Sequence, residues 1–371
     1  MGTKFTWKVY VISIGLEQRG LILSKSKLLI INFVMDENHQ VLSHQVEVVN
    51  LLATKFEQVT VLTGNVGKYS VGKNVRVICF NWVEGKRLKS ILKFLHVFVM
   101  TISKENFSVI FSHMTLVYSA FISPITKIKR LKHYLWYAHT SNGIYLKISN
   151  LLTDGIVTST AGSCPIKGKK VFPIGQSIDS KKFIKKDRDL NDIKKLIHIG
   201  RFDPSKNIKS IIKVVENLRI DDKDLELEIV GSPSTKQHKL VAEEIINNYN
   251  FNSNYRWLKF TSHISRDSIP KTLEEADCFI HAFQGSLDKT LVEATFSGLP
   301  VVTINNEYRK FFGSWNLNMP DKSNTLEDEA ELLFGLQRDK LESEINRRYQ
   351  IAVESHEISG WIDRLVGILK S

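Results

Sequence analysis

Short apolar runs alternate with amphipathic segments along almost the whole chain, and that alternation admits few folds. Leu28–Phe33 (LLIINF), Val59–Leu62, Val75–Phe80, Phe107–Phe111 and Tyr134–Tyr137 read as buried strands. Val41–Ala53 and Arg87–Thr101 carry apolar residues at helical spacing, and Ile156–Thr158 and Lys170–Phe172 close the series. Strands buried on both faces and joined by helix-length crossovers form parallel sheets. A charged, apolar-poor stretch, Ser180–Lys195, then interrupts the pattern as a linker. Beyond it the alternation restarts, with strands at Leu196–Ile199, Leu225–Val230, Leu258–Thr261 and Cys278–Ala282. Helical segments at Lys206–Leu218, Thr235–Tyr249 and Ser268–Ala276 separate them. The fold expected is α/β: two doubly wound parallel-sheet domains facing across a cleft, with ligands at the carboxyl ends of the strands. The boundaries expected are a poorly ordered extension over 1–26, domains over 27–185 and 186–350, and a C-terminal helix over 351–371 packing back towards the first domain.

A chain of 371 residues is long enough for two such cores. With 43% hydrophobic and 24% charged residues it reads as globular, which sets aside a disordered or membrane-embedded chain. Cys79, Cys164 and Cys278 lie too far apart for a disulfide framework or a metal motif, so a reducing compartment is the expectation. Phe5–Leu16 is apolar but interrupted by Lys8, and falls short of the ~20 residues that a membrane-spanning helix needs. The expected location is cytoplasmic, peripheral on the inner face of the plasma membrane. The net charge of +12 is uneven: residues 1–150 hold 19 Lys and Arg against 7 Asp and Glu, and the rest of the chain holds 32 of each. A basic first half calls for an anionic partner. An anionic membrane surface suits Lys86, Arg87, Lys89 and Lys93, which are interleaved with Leu88, Ile91 and Leu92. A second basic cluster is Lys127, Lys129, Arg130 and Lys132. No compact basic-aromatic recognition motif accompanies the charge, so nucleic acid is not the expected partner.

Two loops carry chemistry. Glu274–Ile304 contains a strand, a small-residue loop (Gln284–Lys289), and a helix opening near Asp288–Thr290 and stopping at Gly298. A helix N-terminus behind such a loop offers free N–H groups to an anion, and Glu293, one turn in, is placed to accept from ribose hydroxyls. The other is Ile199–Asn207 (IGRFDPSKN), where Arg201 and Lys206 offer a planar fork and a point charge to a phosphate pair. Asp203 or Ser205 is placed to cap the helix that follows.

In order along the chain, VIFSHMTLVYSAFISP (109–124), LWYAHTS (135–141), VTSTAGS (157–163), VFPIGQSIDSKKF (171–183), GRFDPSKN (200–207), LEIVGSPS (227–234) and GSLDKTLVEATFSGLPVV (285–302) resemble the retaining family-4 glycosyltransferases of the two-Rossmann, GT-B type. The likeness spans roughly residues 27–370. It implies an acceptor-side N-terminal domain and a nucleotide-sugar-binding C-terminal domain. It implies that Arg201 and Lys206 bind the donor diphosphate, that Glu293 holds the ribose and that His139 meets the transferred sugar. Gly200, Gly231 and Ser232 then lie at the nucleotide, and Gly285, Ser286, Leu287, Asp288, Lys289 and Thr290 offer backbone N–H groups to the donor. The implied activity is retaining transfer of a hexosyl or related unit from a nucleotide diphosphate sugar, a co-substrate, to a lipid-linked or saccharide hydroxyl. Cell-surface polysaccharide or glycolipid synthesis is the implied setting. No cofactor and no metal are expected, since no Asp-x-Asp box appears and two cations do a metal's work.

The sequence departs from the family at named points. Gly285 stands where the first acid of the Glu-x7-Glu pair is usual, Gln176-Ser177 replaces a Gly-His-Gly segment, and Val34–His39 replaces a Gly-Gly loop. Gly285 motivates an alternative, a non-catalytic subunit that binds a sugar nucleotide. A sugar-nucleotide epimerase would need an acid and a base beside the sugar, and residues 284–290 offer only Asp288.

Overall fold

A computed structural model of the protein describes residues 26–39, 42–220, 224–233, 235–250, 252–262, 264–319 and 324–371. The extension expected at the N-terminus lies outside the described residues but for Ser26, as does Val41 at the start of the first expected helix. The first half runs β1 (Lys27–Met35), α1 (His44–Ala53), β2 (Gln58–Val66), β3 (Val75–Cys79), α2 (Arg87–Lys104) and β4 (Val109–His113). It continues with α3 (Leu116–Ile128), β5 (Lys132–Trp136), α4 (Ile144–Leu152), β6 (Gly155–Thr158) and β7 (Val171–Pro173). These strands form one parallel seven-stranded sheet, ordered β3-β2-β1-β4-β5-β6-β7. Alternate residues of each strand face opposite ways. Leu28 and Ile30 therefore pack with α1 on one face, and Leu29 and Ile31 with Phe94 and Phe98 of α2 on the other.

The second half runs β8 (Lys195–Ile199), α5 (Ile208–Ile220), β9 (Glu226–Val230), α6 (Lys236–Asn250), β10 (Leu258–Thr261) and α7 (Ile269–Glu274). After these come β11 (Cys278–His281), α8 (Lys289–Phe296), β12 (Val301–Thr303) and α9 (Asn306–Phe312). The chain ends with α10 (Leu326–Phe334), α11 (Arg338–His356) and α12 (Ile358–Lys370). A parallel five-stranded sheet results, ordered β10-β9-β8-β11-β12. The strand order reverses between β1 and β4 and between β8 and β11, so the loops leaving those carboxyl ends splay apart and open a crevice.

Several elements differ from the sequence reading. Helices α3, α4 and α9 were not marked by periodicity, and the helix expected over 351–371 is the end of α11 followed by α12. In α3 apolar residues surround the axis, Pro124 lies inside the helix, and the buried positions include Ser119, Ser123 and Thr126. Two are satisfied locally, Ser123 donating to the Ser119 carbonyl and Thr126 to the Ser123 carbonyl, while the Ser119 hydroxyl meets Ser149 of α4 at 3.3 Å. The helix expected from Lys206 starts at Ile208 instead. A 3-10 turn, Pro204–Lys206, precedes it, and Asn207 at φ +48° is left-handed and breaks the continuity.

The chain passes between the domains twice, and the two crossings are joined. The Ile178 N–H donates to the His356 carbonyl at 3.1 Å, and the Ile358 N–H to the Ile178 carbonyl at 2.9 Å. Gly175, at φ +88°, passes so close to this junction that a Cβ would lie 1.9 Å from the Ser355 carbonyl oxygen. Beyond the junction α12 returns to the first domain. Ile358, Trp361, Ile362, Leu365 and Leu369 recur at helical spacing and join the core formed by α1, β1 and β4. Trp361 is fully buried 5.3 Å from Trp136, and its indole N–H donates to the Gly175 carbonyl at 3.2 Å. Trp361→Ala is expected to cost about 3–5 kcal/mol of stability, read as a lower urea midpoint for the N-terminal domain.

Candidate active site

The site is assembled from loops at the carboxyl ends of β8, β9 and β11. Gly200 follows β8 and Gly231 follows β9, and the two backbones touch: a Cβ on Gly231 would lie 1.7 Å from the Gly200 carbonyl oxygen. The Phe202 N–H donates to the Ser232 carbonyl at 3.0 Å, which ties the loops together. Only a glycine at 231 permits this approach, and it keeps the start of the Arg201–Lys206 loop against the sheet.

That loop places its two cations differently. Arg201 is 60% exposed, with its Nε 3.3 Å from Asp203. The Asp203 carboxylate also meets His238 Nδ1 at 2.8 Å and caps no helix, which corrects the capping role expected of it. Ser205 lies inside the 3-10 turn, two residues before the left-handed break, and is no cap for α5. Lys206 is only 6% exposed and is ion-paired with Asp288. Its ammonium also stands 4.0 Å from the Phe283 ring centroid, a cation–π contact. Phe283 accounts for Gly285 as well, because a Cβ there would lie 2.2 Å from the Phe283 ring.

Asp288 sits at the N-cap of α8 without capping it. Its carboxylate turns to Lys206 and to His281 Nε2, the latter at 3.2 Å. Burial would push this carboxyl up, but Lys206 and His281 outweigh burial and hold it well below its ordinary value. His281, fully buried at the end of β11, is itself lowered by burial in spite of Asp288. Because the cap is not made, the first N–H groups of α8 remain without an intrahelical acceptor. The buried hydroxyl of Thr290, in the first turn, makes no hydrogen bond among the described residues.

Not every loop N–H is open to a ligand. The Leu287 N–H donates to Ser163 Oγ at 3.0 Å, and its carbonyl accepts from Gln176 Nε2 at 2.8 Å. Leu287 thus ties the loop to the N-terminal domain. The amide of Asn305 fixes the rest, donating to the carbonyls of Phe283 at 2.9 Å and Ser286 at 3.1 Å.

One turn into α8, Glu293 is wholly buried and ion-paired with Arg266, from the turn between β10 and α7. Both line an interdomain cavity of about 860 Å³, together with Lys289. Ser43, His44 and Glu47 of the α1 region form the opposite wall. Burial, with Arg266 close by, lowers the Lys289 ammonium to about 8. Across the cleft, burial and then the Lys289 charge lower His113 to about 3, so it is neutral. His139 is exposed on the loop after β5, where its Nδ1 accepts from the Ser141 N–H at 3.0 Å.

The structure thus joins Lys206 to Asp288, and Glu293 and Lys289 to one cavity. Arg201 and His139 stand apart, each with its own local partner. Sequence reasoning missed His281, Arg266, Phe283 and Asn305. Arg266 carried one usable signal, a cation just beyond the carboxyl end of a strand.

Two doubly wound parallel sheets with this loop architecture define a GT-B fold. Residues 179–310 match the family model described as Glycosyl transferases group 1, so this segment is a glycosyl transferases group 1 domain. No curated protein matches the chain in sequence. Among solved structures, Anabaena HepE in complex with UDP and glucose superposes with a TM-score of 0.71 at 13% identity, covering 93% of this chain and 100% of that one. Sucrose-phosphate synthase from Thermosynechococcus elongatus gives 0.71 at 12% identity, over 92% and 98%. A glycosyltransferase from Rickettsia africae ESF-5 gives 0.68 at 14% identity, over 93% and 98%.

Asp288→Asn leaves the buried Lys206 ammonium without its counter-charge. A loss of about 3 kcal/mol is expected in urea unfolding at neutral pH. The Asp288 carboxyl is lowered on folding, so its contribution is complete above about pH 4 and fades as pH falls towards the lowered value. The gap between wild type and variant should therefore close in acid.

Proposed function

We propose that the protein is a glycosyltransferase moving a sugar from a nucleotide diphosphate donor to a hydroxyl acceptor. The observation that carries this reading is Asp288: it holds Lys206 at the mouth of α8 and leaves that helix N-terminus uncapped. A diphosphate would meet the free N–H groups, the Thr290 hydroxyl, and the charges of Lys206 and Lys289. Gly200, Gly231 and Ser232 would lie under the nucleoside. Glu293 would reach the ribose by exchanging part of its contact with Arg266. Arg201, exposed and paired with Asp203, would swing onto the outer phosphate. His139 would face the sugar from the N-terminal domain. The glycosyl transferases group 1 match over 179–310 supports the reading.

Catalysis in such a site is mainly electrostatic. Negative charge builds on the departing diphosphate, and cations fixed beforehand stabilise it without reorganising. The reading needs no metal and no cofactor, because Lys206, Lys289 and Arg201 supply the positive charge. The resemblance to the retaining family-4 glycosyltransferases supports front-face transfer with retention, the departing phosphate taking the acceptor proton. The sugar is a hexose or a related unit. The acceptor is a lipid-linked or saccharide hydroxyl in cell-surface polysaccharide or glycolipid synthesis, met on the cytoplasmic side. Gly285 and the Glu293–Arg266 pair favour a second reading, a subunit that binds the donor without transferring it. Slow donor hydrolysis without acceptor separates the two, since the subunit shows none.

A thermal-shift panel of UDP-, GDP- and ADP-sugars tests the reading, because a ligand that binds only the folded state raises the melting temperature. One nucleotide should shift it, and no response to any would overturn the proposal. With the donor found, Lys206→Ala and Arg201→Ala should each lower turnover on the order of 10²–10³-fold. Lys289 adds a pH signature. Its ammonium is lowered to about 8 and a bound anion would raise it, so donor affinity should fall by up to about tenfold per unit as pH rises above about 8 and level off once the bound site also loses that proton. In Lys289→Met that slope should vanish in calorimetric titrations.

A further inference from the structure

Given the donor reading above, on which this rests, we propose that Arg266 makes the nucleoside pocket indifferent to the ribose 2′-hydroxyl. Sugars carried on a 2′-deoxyribonucleoside diphosphate then serve as donors on equal terms with their ribonucleoside counterparts. The guanidinium of Arg266 grips both oxygens of Glu293, one terminal nitrogen on Oε1 and the other 3.4 Å from Oε2. No other side chain donates to that carboxylate among the described residues. None of the Glu293 side chain meets solvent, whereas 25% of the Arg266 side chain does. The wall of the interdomain cavity therefore presents a cation where the sequence led one to expect an open acid.

Arg266 is built into that wall. It opens the 3-10 turn Arg266–Ser268, which the Ser268 N–H closes on the Ser265 carbonyl at 3.0 Å. The hydroxyls of Ser265 and Ser268 brace the same turn at 2.8 Å. Pro270 follows in the first turn of α7 and restricts the backbone further. The planar fork matches the carboxylate and neutralises a charge that burial alone would make costly.

What a ribose hydroxyl gains depends on what it replaces. A buried carboxylate that relies on substrate hydroxyls is left unpaired by an analogue lacking one, and such a site rejects that analogue by ~10⁴-fold. At Glu293 a hydroxyl reaches an oxygen only by displacing a guanidinium N–H. The exchange gives up a charge-assisted hydrogen bond from a cation for one from a neutral donor, so the complex gains little. A 2′-deoxynucleotide leaves the fork in place and orphans no acceptor.

Calorimetric titration of matched nucleotides tests this, with UDP against 2′-deoxyuridine diphosphate and the corresponding guanosine and adenosine pairs. The pair whose base is accepted should show dissociation constants within about threefold of each other. Arg266→Lys keeps a positive charge beside Glu293 but has no fork to cover both oxygens. In that variant the ribonucleotide should be preferred by at least about tenfold. Arg266→Met should widen the preference further. If the unpaired buried acid unfolds the methionine variant, the lysine variant and the wild-type ratio still decide. The ratio is the readout because a general loosening of the site weakens both nucleotides alike. A wild-type preference for the ribonucleotide of about tenfold or more overturns the proposal and leaves the donor reading standing. So does a ratio that Arg266→Lys does not alter. Absence of binding by every pair overturns the donor reading, and this proposal with it.

Discussion

Lys206 carries its charge into a place where only 6% of the side chain meets solvent, and Asp288 answers it from across the sheet. An ammonium buried without a counter-charge costs several kcal/mol, so this pairing constrains everything near it. It draws the Asp288 carboxylate off the N-cap of α8, so that side chain does not cap the helix. It places a neutral imidazole, His281, against the same carboxylate. It also fixes Phe283, whose ring lies under the ammonium and fills the space beside Gly285. Gly285 leaves the room that the Phe283 ring fills, and the carboxylate at 288 holds the cation.

Around this centre the domains are fastened by neutral and charged contacts of different strength. Glu307 of α9 accepts from Thr160 Oγ1 at 2.6 Å and from the Gly162 N–H at 2.9 Å, across the interface. Leu287 is held from both sides by Ser163 and Gln176, while the Lys182–Glu47 pair, at 3.1 Å, is half-exposed and worth little. The buried contacts gather on one side of the cleft and the cavity lies on the other, beside α1. Trp361 and the rest of α12 bind the chain end into the first domain, so closure about the Ile178–Glu357 junction must carry that helix along.

The fold was largely legible because its strands are buried on both faces and appear as unbroken apolar runs. Leu28–Ile31 and Cys278–His281 could hardly be read otherwise. α3 escaped because Ser119, Ser123 and Pro124 interrupt the apolar pattern, and only tertiary burial makes a helix of it. Glu293 and Lys206 were found from the local motif, yet their partners were not. Arg266 stands 27 residues from Glu293, and Asp288 stands 82 from Lys206, with no periodicity linking either pair.

The sequence by itself determined the alternation of strands and helices, and hence the two parallel sheets. It also determined the glycines at 200 and 231, which let two backbones touch. Those are local or periodic properties, set by which side chains avoid water and which backbones tolerate crowding. Only the tertiary structure decided which cation answers which carboxylate, that Leu287 bonds to Ser163 and Gln176, and that Leu88 and Leu92 face outward. Coulomb energy and hydrogen bonding depend on distances of a few ångströms, and such distances between remote residues exist only once the sheets are built.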